Sequence, residues 1–244
     1  MSLLVVIPAR FESTRFPGKP LADLGGLPLI EHVWRRCCQA VDPADVLIAT
    51  DDDRIAEVGI AFGAVVEMTS STCLTGTDRV AEVSARHEAD WYINVQGDEP
   101  FVDPEAIKSV IRATGEVNSE VVAINTMCVI DDEAEFRSET VPKPVTDLHG
   151  RLLYMSRAAI PTDKRLGFRM AFRQVGLYAF RRAALIAYRP GATKSPLEEI
   201  EDIEILRLLE AGSRVQMVRV PASGIAVDTP ADLARAHSFL AEHG

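Results

Sequence analysis

Residues 3–21 read Leu3-Leu4-Val5-Val6-Ile7-Pro8-Ala9-Arg10-Phe11-Glu12-Ser13-Thr14-Arg15-Phe16-Pro17-Gly18-Lys19-Pro20-Leu21. The first five are apolar without alternation, the pattern of a strand covered on both faces. The polar, Pro- and Gly-bearing stretch that follows ends the strand in a long loop. That loop sets Arg10, Arg15 and Lys19 against a single acid, Glu12. Small and turn-forming residues let backbone N–H groups approach a ligand, and the cations can neutralise phosphate oxygens. Neither the Walker pattern GxxxxGK[ST] nor the dinucleotide fingerprint GxGxxG is present. Taken alone, the loop is also compatible with a solvated basic turn; its place directly after a buried strand favours an anion site.

Outward from this strand, short apolar runs alternate with amphipathic segments. The spacing predicts strands over 46–50, 64–68 and 91–95, and helices over 29–41, 55–62, 76–87 and 104–114. Such alternation implies an α/β fold with a mainly parallel, twisted sheet flanked by helices. Ligands of such sheets bind beyond the carboxyl ends of the strands, where the loops 8–21, 69–75 and 96–102 emerge. The second half changes character. It reads as strands over 142–156, turning at His149-Gly150, and 171–180, with a polar loop over 162–170. A helix over 197–211 is expected to stop at Gly212, followed by a strand over 214–220 and a last helix opening at Thr229-Pro230. This half is expected to be a smaller antiparallel insertion on the sheet, within one domain spanning 1–244.

The chain has 244 residues, 47% hydrophobic and 25% charged, with a net charge of −10. A chain of this length can bury roughly 70–75% of its unfolded surface without staples. The acidic balance argues against nucleic-acid and membrane-surface partners, both polyanionic. No apolar run approaches a membrane span. Residues 3–7 are too few for a secretory core, and the cations follow rather than precede them, so a cytoplasmic location is expected. Cys37, Cys38, Cys73 and Cys128 show no metal or disulfide spacing and are expected to be reduced and mostly buried.

Two further segments carry chemistry. In Asn94-Val95-Gln96-Gly97-Asp98-Glu99-Pro100 a strand ends in a Gly-Asp-Glu turn, where Asp98 is either a turn or cap residue or an oxygen ligand for Mg²⁺ shared with phosphate. In Ala226-Val227-Asp228-Thr229-Pro230, Asp228 either caps the following helix or supplies a second metal carboxylate. No histidine stands in a general-base context. The acids of 198–206 read mostly as a solvated helix face, with Ile200, Ile203 and Leu206 inward.

These segments occur in a fixed order with Thr75-Gly76-Thr77-Asp78-Arg79, Ser156-Arg157-Ala158-Ala159-Ile160-Pro161 and Gly176-Leu177-Tyr178. Together they resemble the 3-deoxy-manno-octulosonate (Kdo) cytidylyltransferases nearly end to end. The resemblance implies a nucleotide-diphospho-sugar transferase type fold, Rossmann-like, and a Mg²⁺-dependent homodimer serving bacterial surface polysaccharide synthesis. It implies that Arg10, Ser13, Arg15 and Lys19 grip the triphosphate of CTP and that Arg79 lies near the cytidine. It also implies that Asp98 and Asp228 bind Mg²⁺, giving Lys19, Asp98 and Asp228 catalytic roles. Gln96, Arg157, Tyr178 and Glu204 match the sugar site, with Arg157 suited to the sugar carboxylate.

Three segments depart from the family pattern. Cys73-Leu74-Thr75 stands for His-x-Ser, Gln174 stands where a sugar-contacting His is usual, and Pro142-Lys143-Pro144-Val145 replaces Val-Lys-Val-Val. The sugar side has therefore drifted further than the triphosphate side, and the acceptor is expected to be Kdo or a related 3-deoxy-ulosonic acid. The competing readings are a CMP-sialic-acid-type synthetase, whose first motif carries more glycine, and a nucleotide-binding module without turnover. A structural protein on the same fold would explain neither the cations nor the paired carboxylates.

Overall fold

The structure, a computed structural model, describes residues 1–13, 15–188, 192–222 and 224–243, without the side chain of His243. Thr14 of the first motif lies outside the described residues. Strands are β1 (Leu3–Ala9), β2 (Asp23–Leu24), β3 (Leu27–Pro28), β4 (Val46–Thr50), β5 (Val65–Met68), β6 (Trp91–Val95), β7 (Val121–Ile130), β8 (Lys143–Thr146), β9 (Leu152–Ser156), β10 (Ala171–Arg181) and β11 (Arg214–Arg219). Helices are α1 (Leu29–Cys38), α2 (Asp53–Ala61), α3 (Gly76–Arg86), α4 (Pro104–Glu116), α5 (Glu133–Arg137), α6 (Arg182–Leu185), α7 (Pro196–Glu201), α8 (Leu206–Glu210) and α9 (Pro230–His243).

Seven strands form the main sheet in the order β11-β7-β10-β6-β1-β4-β5. All neighbours are parallel except β10, which runs antiparallel to both β6 and β7. The expected mainly parallel α/β sheet is what forms, and β8–β9 is a separate antiparallel hairpin. The unbroken apolar runs serve two cores at once. Val5, Ile7, Ile48, Ile93 and Val95 pack on one face with α1 and α4. Val6, Leu47, Ala49 and Tyr92 pack on the other, with Val80 and Val83 of α3. Successive side chains of a strand point to opposite faces, so a centre strand must be apolar at every position. Trp91 is buried and Trp34 packs on Phe62 at 5.2 Å, both as core.

Beyond the short β2, β3, α5 and α6, which no sequence pattern marks, two larger differences stand out. β7 is absent from the sequence pattern because Asn125 and Thr126 interrupt the apolar run, and Asn is poor strand material. Both are fully buried, and both donate to the carbonyls of Val175 and Leu177. Those carbonyls flank the irregular register of β10 at Gly176, so the polar pair satisfies a bulge. The helix expected over 197–211 is two helices, α7 and α8, broken at Asp202 in the left-handed region (φ 51°). Its inward set is corrected accordingly. Ile203 and Leu206 are buried, Ile200 is exposed, and Glu198, assigned to a solvated face, is fully buried.

Candidate functional site

The carboxyl ends of β1 and β6 lie side by side because position 97 is glycine: a Cβ there would sit 2.7 Å from the carbonyl oxygen of Pro8. That approach sets the Asp98 turn beside the loop that follows β1. The loop folds back through Gly18, whose φ of 71° is left-handed and whose N–H donates to the Phe11 carbonyl at 2.9 Å. The turn delivers Lys19 inward at the start of a short 3₁₀ segment (Lys19–Leu21). Its Nζ lies 2.8 Å from Asp98 Oδ2 and 3.2 Å from Asp228 Oδ1. Arg15 approaches the same Asp228 oxygen at 3.4 Å.

Local hydrogen bonds decide which side chain caps α9. Thr229 Oγ1 accepts from the Asp232 N–H, while the Asp232 carboxylate accepts from the N–H groups of Asp228 and Thr229. Thr229 therefore caps α9, as its sequence predicts, and the Asp228 carboxylate is released from capping. The Val227 N–H donates to the Asp98 carbonyl at 2.9 Å, which staples the two acidic segments together. Burial alone would lower the Lys19 pKa, but Asp98 and Asp228 outweigh it and hold the ammonium above its ordinary value.

These groups open into a cleft of about 310 Å³ that also carries Arg10, Ser13, Arg79, Gln96 and Glu204 on its walls. Arg79 is buried, hydrogen-bonded to Thr69 and paired with Asp51 at 3.1 Å, at the end of β4. Thr75, the departure from the family's Ser, caps α3 in a reciprocal box with Asp78. Glu204 accepts from the backbone N–H of Thr77 at 3.2 Å and from its hydroxyl, and burial pushes its carboxyl up to about 7. Burial, and then the neighbouring Asp98, likewise raise Glu99 to about 7.

Arg157, Gln174 and Tyr178 are not on these walls. Arg157 spends its donors on the carbonyls of Glu201, Glu139, Thr140 and Asp202. Gln174 Nε2 donates at 2.9 Å to both Asn125 Oδ1 and the Tyr178 hydroxyl, and Tyr178 is buried. Lys194 and Asp202 do line the cleft and carry no mark in the sequence, since a lone loop lysine and an acid in an acidic run look like surface. Among the described residues no cluster of three His, Cys, Asp or Glu side chains is placed to hold a metal, and the four cysteines are free thiols. The convergence of two carboxylates on one cation still suits a hard cation whose remaining oxygens come from phosphate.

Against known proteins, the cytidylyltransferase family model matches residues 4–216. The 3-deoxy-manno-octulosonate cytidylyltransferase of Geobacter metallireducens is 43% identical over 245 residues, covering 96% of this chain and 95% of that protein. The Escherichia coli protein of the same name is 38% identical over 239 residues, covering 98% and 96%. The chain belongs to the 3-deoxy-manno-octulosonate cytidylyltransferase family. A solved CMP:2-keto-3-deoxy-manno-octonic acid synthetase in complex with CTP superposes with a TM-score of 0.93 at 36% identity, over 100% of both chains. A putative glucose-1-phosphate thymidylyltransferase from Bacillus anthracis, at TM-score 0.67 and 16% identity over 100% of this chain and 97% of its own, shares the fold.

Proposed function

We propose that the chain transfers the cytidylyl group of CTP to 3-deoxy-manno-octulosonate, releasing pyrophosphate. The observation that carries this is the meeting of Lys19, Arg15, Asp98 and Asp228 on the cleft wall, in a chain whose relatives bear that activity in their names. The anomeric 2-hydroxyl attacks the α-phosphorus in line, a P–O bond forms, the bond to pyrophosphate breaks, and the hydroxyl proton passes to solvent water. Little covalent chemistry is asked of the protein, so positioning and charge neutralisation supply the acceleration. Arg10 and Ser13 hold the triphosphate, while Arg15 and Lys19 stabilise charge gathering on the leaving pyrophosphate. Arg79, anchored by Asp51, fixes the wall against which the cytidine lies.

Asp98 and Asp228 are the residues to hold Mg²⁺, whose role when bound is to polarise the α-phosphate and acidify the attacking hydroxyl. Gln96 and Glu204 face the sugar, while Gln174 and Tyr178, matched to the sugar site by resemblance, bond to each other off the cleft wall. Arg157 acts through the turn at Glu201 and Asp202, which its guanidinium holds by two carbonyls. The whole chain works as one domain because β10, from the second half, is threaded between β6 and β7.

The same reading covers a homodimer, supported by exposed Leu148 and Met170 beside a second groove of about 460 Å³. It also covers a cytoplasmic place in surface polysaccharide synthesis. No described helix is long and apolar enough to cross a membrane. Pyrophosphate release, with mass detection of the CMP-sugar, tests the proposal across a panel of 3-deoxy-ulosonic acids. Turnover with Kdo or a close relative is expected. Release of pyrophosphate with none of them, or only with sialic acid, overturns it.

A further inference from the structure

In the proposed reaction the acceptor is itself an acid, so the cleft must take up a second anion beside the triphosphate. Its walls already carry two acids besides Asp98 and Asp228, namely Asp202 and Glu204. A carboxylate enters such a place only if a cation answers it. Arg157, the residue whose planar fork suits that task, is committed to four backbone carbonyls. Other cations nearby are committed as well. Lys143 is fully buried on the carbonyls of Ser138 and Arg157, and Arg173 pairs with Glu135 at 3.0 Å. Arg207 is buried between Glu198 and Asp78. Of the cations on the cleft wall, Lys19 and Arg15 answer Asp98 and Asp228, Arg79 answers Asp51, and Arg10 leaves β1 in the triphosphate loop. Among the described residues, Lys194 is the cleft cation to which the transferase reading gives no part in holding the triphosphate, the cytidine wall or the two carboxylates.

Lys194 precedes α7, and its Nζ lies 2.6 Å from Asp202 Oδ1. Asp202 is 71% exposed, on the left-handed turn whose carbonyl Arg157 holds. An ion pair so exposed contributes little to stability. An incoming carboxylate can therefore replace Asp202 at the ammonium, and Asp202 turns to water rather than being left buried and unpaired. We infer that Lys194 receives the C1 carboxylate of the sugar acid and is a specificity-determining residue of this site, with Arg157 positioning the turn that presents its resting partner. The assignment rests on the transferase reading above.

Steady-state kinetics of Lys194→Met and Lys194→Arg, with CTP and 3-deoxy-manno-octulosonate varied separately, tests it. Lys194→Met is expected to raise KM for the acid about tenfold while KM for CTP and kcat stay within about twofold, and Lys194→Arg to recover most of the loss. The C1 primary amide of the acid, used as an inhibitor, supplies a second readout. The unsubstituted protein should prefer the acid, and Lys194→Met should erase most of that preference. An unchanged KM for the acid, an equal rise in KM for CTP, or undiminished preference for acid over amide overturns the assignment while pyrophosphate release by the unsubstituted protein stands. No release by the unsubstituted protein overturns the transferase reading and this assignment together.

Discussion

Two clusters in this molecule have the same ingredients, one cation and two carboxylates, and opposite surroundings. Lys19 meets Asp98 and Asp228 with side-chain exposures of 14%, 29% and 42%. Arg207 meets Glu198 and Asp78 with exposures of 6%, 1% and 5%. In the buried cluster every group has a second structural duty. Glu198 and Asp78 are the third residues of the capping boxes that open α7 and α3, and Arg207 sews the two helix starts together. It pairs with Glu198 through both Nε and Nη2, at 2.6 and 2.7 Å, and stacks over Tyr188. In the open cluster the Asp228 carboxylate caps nothing, and Asp98 contributes to the fold through its backbone carbonyl rather than its side chain. Charge that supports no fold and faces a cleft is available to a ligand; charge sealed in capping boxes is architecture.

The comparison breaks if the two clusters respond alike to neutralisation. Asp98→Asn is expected to cut turnover by about 10³-fold or more, because it removes a charge needed only while phosphate charge is redistributed. Its urea midpoint should hardly move, since the site is partly solvated. Pyrophosphate release and a denaturation curve on the same preparation check both halves, and near-normal turnover at saturating Mg²⁺ would remove Asp98 from catalysis. Arg207→Met should do the reverse. Removing one partner strands two buried carboxylates and costs about 3–5 kcal/mol of stability, read from urea unfolding.

Glu204 sits between the two clusters, bonded to Thr77 and near Asp78 and Glu198. Its folded-state pKa, raised to about 7 by burial, exceeds the 4.5 of an unperturbed carboxyl. The folded state therefore binds more protons than the unfolded chain between those values. The resulting stability is fully present below pH 4.5 and is lost as pH rises through 7. Comparing unfolding free energies at pH 5 and 8, Glu204→Gln should flatten this decline by roughly 2–3 kcal/mol. An unaltered pH slope would mean that Glu204 ionises freely in the fold.

What was legible in the sequence follows the same division. The strands with unbroken apolar runs and the loops at their carboxyl ends could be read because one local pattern decided each. β7 could not, because Asn125 and Thr126 make sense only once the bulge at Gly176 presents two carbonyls to them. Lys19, Asp98 and Asp228 were legible as motifs, but their convergence depends on the close approach at Gly97 and the staple from Val227 to Asp98, both non-local. Of the buried cluster, Glu198 reads as part of a solvated face because α7 and α8 are separate helices. A single helical period carried through Asp202 rotates Glu198 outward, whereas the break turns it in.

The smallest expected effect belongs to Arg10, which sharpens the comparison within the open site itself. Arg10 is exposed on the cleft wall and, among the described residues, faces no carboxylate partner, unlike Lys19. An exposed guanidinium on a triphosphate works through screened attraction, so Arg10→Ala should raise KM for CTP about three- to tenfold with little change in kcat. The rise should shrink as salt increases, because screening already weakens the contact in the unsubstituted protein. Measuring KM for CTP at low and high ionic strength checks this. A large loss of kcat instead would show that Arg10 acts in the transition state, and would extend the catalytic cluster from Lys19 back to the end of β1.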